Sequence, residues 1–138
     1  MKTEILTFDQ NGTLASIIDV IARVLLSTLF LLAGSNKISA YEGTAGWMEA
    51  MGVPGGLLPL VIFAEIGGAL ALILGFQTRL VALGLAVFSI ASALVFHNNI
   101  ADQAEFLNFF KNLSMAGGFL VLSINGAKKF SLDAQFNK

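Results

Sequence analysis

Apolar residues in this chain fall into four long blocks, residues 16–34, 57–74, 80–96 and 106–124, rather than at amphipathic spacing. A hydrocarbon core of about 30 Å needs roughly 20 residues of helix to cross it, so each block predicts a transmembrane helix. The fourth is the least uniform. Asn108, Lys111 and Asn112 stand near its start, where Lys111 has to snorkel or face an interior cavity. The first block carries Asp19 and Arg23 and follows Glu4 and Asp9. A cleaved signal has a basic leader and a shorter apolar stretch, so this helix is expected to be retained.

The connections complete the plan. Residues 35–56 form the longest, and Tyr41 and Trp47 in it are amphipathic aromatics suited to a headgroup region, which predicts a short interfacial helix. The run from Gly52 through Val53, Pro54, Gly55 and Gly56 breaks that helix and opens the second span. The turn from Gly75 to Thr78 is tight, making spans two and three antiparallel neighbours. The expected fold is an all-α membrane protein: a four-transmembrane-helix bundle with an interfacial segment between helices 1 and 2. It comprises a membrane domain at 16–126, a leader at 1–15 and a tail at 127–138. The segment from Glu65 to Gly75 can be laid over Met115 to Gly126 with one insertion, and residues 22–25 resemble 78–81, which suggests two related helical hairpins.

Composition narrows the function classes. With 56% hydrophobic and 12% charged residues and a mean hydropathy of +0.79, the chain has more apolar surface than a soluble core of this size can use. The bilayer is therefore its first partner. A net charge of -1 with scattered basic residues gives no field for nucleic acid. The absence of cysteine excludes disulfides, thiolate metal ligands and thiol redox centres, and a single histidine cannot supply bis-histidine haem ligation. No metal site and no intrinsic cofactor are expected. With four spans both termini share one face, which holds Lys2, Arg79, Lys128, Lys129 and Lys138 against Lys37 and Lys111 opposite. The positive-inside rule then places both termini in the cytoplasm.

Polar and small residues within the spans mark candidate interior faces. On the first helix Asp19, Arg23, Ser27, Phe30, Gly34 and Lys37 follow three- and four-residue steps. The second offers Glu65, Gly68 and Gly75; the third Ala82, Ala86, Ser89, Ala93 and His97; the fourth Lys111, Ser114, Gly118 and Asn125. Small residues let helices approach and polar groups avoid lipid, so packing alone accounts for the Gly, Ala and Ser positions. The charges ask for more. Arg23 and Glu65 stand at similar depths in their spans and are expected to pair, with Asp19 one turn away, as a structural clamp or a proton relay. At the opposite ends Lys37, His97, Lys111 and Asn112 converge at one level. Each alone is an ordinary interfacial residue, but together they form a candidate pocket for an anion or a carbonyl group.

These residues also carry a family resemblance. Arg23, the run Phe30 to Lys37, Met51-Gly52-Val53-Pro54, Glu65 with Gly68, Leu74-Gly75-Phe76 followed by Thr78-Arg79, Phe96-His97 and Lys111-Asn112 together resemble the DoxX family over roughly residues 18–126. That family consists of small bacterial and archaeal four-helix membrane proteins, named for subunits associated with quinol oxidase and thiosulfate:quinone oxidoreductase systems. The resemblance implies a protein of the bacterial inner membrane and a redox-associated, quinone-linked subunit. In it Lys37, His97 and Lys111 would hydrogen-bond carbonyl oxygens, Glu65 would relay protons, and electrons would come from a soluble or membrane redox partner. The alternative is a non-enzymatic carrier of small solutes or lipids, working as a homo-oligomer if it alternates access, or an assembly scaffold for a larger complex.

Overall fold

The computed structural model describes residues 4, 5 and 7–138, so Lys2, which entered the orientation count, lies outside the described residues. The chain folds as helices, with no strand among the described residues. Among the described residues, four helices are long and apolar enough to cross a membrane: α1 (Thr13–Ser39), α3 (Gly55–Leu74), α4 (Thr78–Phe96) and α5 (Gln103–Asn125). Between α1 and α3 lies the expected short helix, α2 (Tyr41–Ala50), and after the last span a single turn, α6 (Leu132–Phe136).

Local chemistry sets the boundaries. Asp102 opens α5 by accepting from the backbone N–H groups of Ala104 and Glu105 at 2.9 and 3.1 Å, a side-chain cap of two otherwise orphaned donors. Gly52, at φ 83°, ends α2, and Pro54 precedes α3. Gly75 closes α3 in the left-handed region at φ 70°. A side chain there would also collide with Ser131 and the Arg23 guanidinium, so the turn requires glycine twice over. Within α3, residues Phe63–Gly67 widen into a π turn centred on Glu65, a local expansion of the kind found at functional positions.

The spans pack as two hairpins, α1 with α3 and α4 with α5, joined through α3 and α4. The seam between α1 and α5 is the sparsest. The core is small and built on Phe30, Ala69, Leu72, Leu85, Ala86 and Phe119, with Phe30 edge-on to Phe88 and Phe119 at 5.9 and 5.5 Å between ring centroids. Leu25, Leu60, Leu80 and Val121 stay outward, as lipid contact demands.

The anticipated interior faces hold for α1, where Arg23, Ser27, Phe30 and Gly34 are buried, and for α4, where Ala82, Ala86, Ser89 and Ala93 are. On α5 the expectation fails. Ala116, Phe119 and Leu122 turn inward, leaving Lys111, Ser114 and Asn125 exposed. Polar side chains on this helix need no interior partner when they bond their own backbone: Ser123 Oγ donates to the Leu120 carbonyl and Asn125 Nδ2 to that of Val121.

Candidate functional site

Two charged clusters occupy opposite ends of α1, and neither contains the expected Arg23–Glu65 pair. Arg23, fully buried, donates from Nε to Asp19 at 3.0 Å, one turn back along its own helix. Its Nη1 donates to the carbonyls of Leu72 and Ile73 at 2.9 and 3.0 Å, and Nη2 to that of Phe130 at 2.6 Å. The first two belong to the last turn of α3, where the Leu72 carbonyl also accepts from the Gly75 backbone N–H at 3.1 Å, so the guanidinium helps cap that helix. Asp19 accepts in addition from the Lys128 backbone N–H at 3.0 Å. Arg23 and Asp19 thus tie the start of the bundle to the α3–α4 turn and the tail. On the tail, Asp133 accepts from the Gln77 and Thr78 backbone N–H groups at 2.7 and 2.9 Å and caps α4. Burial works against the Asp133 charge, but hydrogen bonds from Thr78 and Gln77 and the nearby Arg23 guanidinium outweigh it and hold the carboxyl below its usual range.

Glu65 sits at the other end. Lys37 Nζ lies 2.9 Å from its Oε1 and 3.2 Å from its Oε2, an ion pair in which the carboxylate is almost fully enclosed. The expected pairing misjudged depth. α1 runs on to Ser39, and Gly34, without a side chain, lets it press against Ile66 and Glu65. Arg23 stands eleven residues before Gly34, about 16 Å down the helix at 1.5 Å per residue, out of reach of Glu65. Lys37 is one turn beyond Gly34 and within reach.

Around this pair is a cavity of about 190 Å3 lined by α1, α3, α4 and α5. Lys37, His97, Lys111 and Asn112, anticipated as one cluster, all contribute to its wall, and Glu65 joins them there. Asp19 and Arg23 do not. Ser89 and Ser92 add hydroxyls, while Phe30, Phe88 and Met115 supply the apolar sides. Lys111 is exposed at the rim, where Nζ donates to Asn108 at 3.2 Å. His97 Nδ1 is 2.9 Å from Glu105 Oε2, which orients the ring and leaves Nε2 as the nitrogen available to a ligand. Trp47 of α2 stacks on Phe96 at 4.7 Å and approaches His97 at 6.3 Å, pinning the interfacial helix over the site.

Sequence reasoning gave Glu105 no part in the site and Trp47 only that of an interfacial aromatic. Glu105 reaches His97 across the α4–α5 loop, eight residues on, a separation that no helical spacing flags. Ser92 and Phe88 carry no sequence signal distinguishing them from packing residues.

The model of the DoxX family matches residues 18–98, which include Lys37, Glu65 and His97. The chain is 50% identical over 119 residues to the inner membrane protein YqjF of Escherichia coli strain K12, covering 86% of this chain and 92% of that one. It is 31% identical over 129 residues to the inner membrane protein YphA of the same organism, covering 88% and 92%. No solved structure gives a significant match. With more than half of its length matched by the family model and nearly all of two inner-membrane relatives covered, the chain is a multi-pass inner-membrane protein and belongs to the DoxX family.

Proposed function

We propose that this protein is a redox-associated membrane subunit whose polar cavity binds the ring of a quinone. One observation carries the reading: cations, an amide and an imidazole, contributed by α1, α5 and the end of α4, line a single cavity walled elsewhere by Phe30, Phe88 and Met115. Hydrogen-bond donors on an apolar-sided slot suit a flat molecule with carbonyl oxygens at its edge. A bound quinone supplies the two-electron, two-proton chemistry for which this cysteine-free chain has no group of its own. Lys111 Nζ and Asn112 Nδ2 can donate to a carbonyl from α5, and His97 Nε2 from the end of α4. Glu65 and Lys37 share one enclosed proton-bearing pair at the cavity wall, and Glu105, bonded to His97 Nδ1, links the imidazole towards the aqueous rim. Electrons would pass between the site and a redox partner protein.

The test is binding by purified protein freed of native lipid quinone, with 2,3-dimethoxy-5-methyl-1,4-benzoquinone as the probe and fluorescence quenching of Trp47, the sole tryptophan, as the readout. His97→Gln and Lys111→Gln should each weaken binding about tenfold, equal to the loss of one hydrogen bond to a polar ligand group. Helix content by circular dichroism should be unchanged. Saturable binding of inorganic sulfate with none of the quinone would replace this reading with that of a small-anion carrier. Unchanged binding in both folded variants would remove the cavity from any ligand role.

A further inference from the structure

The Lys37–Glu65 pair has a cavity on each side of it. Beyond the polar one lies a second, of about 360 Å3, enclosed by α2, α3 and α4 and lined chiefly by Trp47, Met48, Leu57, Val61, Ala91 and Val95. The two share Lys37, Glu65, Phe88, Ser92 and His97 as a common wall. Small-molecule sites run to roughly 300–1,000 Å3, so the polar cavity alone is undersized while the two together are ordinary. Leu57, Ala91 and Val95 remain exposed within the apolar stretches of α3 and α4, which gives the second chamber an opening on the apolar flank of the bundle.

We propose that the chamber beneath α2 is a tail subsite, taking the hydrocarbon side chain of a lipophilic quinone that enters sideways from the bilayer between α3 and α4. The inference rests on the quinone reading of the polar cavity. Its own ground is the continuity of an apolar chamber with the donor-lined one across a shared wall. A water-borne solute would gain nothing from the second chamber and would not need its lateral window. An amphiphile uses both, with its ring among Lys37, His97, Lys111 and Asn112 and its chain under Trp47 and Met48. The packing of Trp47 on Phe96 makes α2 the roof of the chain's channel. The substrate class is thereby narrowed from quinone rings in general to membrane-dissolved, long-chain ones.

Affinities of the bare benzoquinone and of its 6-decyl derivative are compared in nanodiscs for the wild type, Ala91→Phe and Val61→Phe. The two substitutions fill the chamber from opposite walls with residues that lipid tolerates. Partitioning of the decyl compound into the bilayer raises its apparent affinity equally for all three proteins, so the change in the decyl-to-ring ratio isolates the chamber. The ratio should fall about tenfold in each variant while binding of the ring stays at the wild-type level. A decyl probe with a terminal diazirine should label residues 53–61 and 91–95. If ring and decyl compound bind but the ratio is the same in all three proteins, or if label falls on lipid-facing Leu25 and Val121 instead, the tail subsite is overturned and the quinone site stands. If neither compound binds the wild type, both readings fall.

Discussion

Whether Lys37 or Arg23 neutralises Glu65 is open to a direct thermodynamic measurement, and the geometry sets unequal costs for the two sides of the pair. Removing one partner of a buried ion pair costs about 3–5 kcal/mol, because the other charge is left uncompensated. Lys37→Met strands a carboxylate whose side chain is only 5% exposed, so its cost belongs at about 3 kcal/mol, the lower end of that range, since the neighbouring cavity admits some water. Glu65→Gln strands an ammonium that is 24% exposed on a flexible stem, which can swing to the rim, and about 1–2 kcal/mol is expected once that escape is discounted. The double variant should restore part of the loss, with a coupling of about 1–3 kcal/mol. The parallel cycle of Arg23→Met with Glu65→Gln should be additive to within about 0.5 kcal/mol, because those groups share no partner. Unfolding in mixed detergent micelles, followed by Trp47 fluorescence and by helix content, gives each value. Additivity of Lys37 with Glu65, or coupling of Arg23 with Glu65, would refute the register of α1 against α3 on which the site is built.

Gly34→Leu should drive α1 from Ile66, separate Lys37 from Glu65 and abolish their coupling at a cost of about 1–3 kcal/mol, while a leucine at the open Gly84 should be silent; equal losses at both would show that α1 and α3 do not meet at Gly34. Arg23→Lys should cost nearly as much as Arg23→Met, since one ammonium cannot serve Asp19, two helix-end carbonyls and Phe130 at once; rescue by lysine would show that charge alone matters there. The lowered Asp133 carboxyl contributes stability that is full above its unfolded value of about 3.9 and lost as pH falls through the lower folded one. Protection of residues 131–137 from proteolysis should therefore decline only at strongly acid pH, and Asp133→Asn should remove that dependence. The basic bias of the terminal face, with Arg79, Lys128, Lys129 and Lys138 on it, is the ground for placing both termini in the cytoplasm. A cysteine at exposed Gly43 should react with an impermeant thiol reagent in intact cells and one at Asn137 should not; the reverse pattern would invert the orientation.

Hydrophobic block length alone determined that this chain crosses a membrane four times, because about 20 apolar residues are the shortest helix that satisfies its own backbone across the bilayer. Turn chemistry was equally legible: Gly75 and the run from Gly52 to Gly56 stop helices wherever they occur, for reasons internal to the backbone. The three- and four-residue steps on α1 identified its interior face, since a helix has one period whatever surrounds it. Pattern also gathered Lys37, His97, Lys111 and Asn112 at one end of the bundle, because helix ends fix depth. Tertiary structure decided who pairs with whom. Depth along α1 depends on how far the helix continues and on where Gly34 lets α3 approach, a register held by interhelical contacts and absent from either segment alone. It moved Glu65 from Arg23 to Lys37 and turned Arg23 into a cap on α3 and the tail. The rotation of α5, with Ala116, Phe119 and Leu122 inward and Ser123 and Asn125 bonded to their own backbone, likewise followed from packing against α4. So did the apolar chamber beside the polar one, since its wall is assembled from α2, α3 and α4 and no single stretch of sequence contains it.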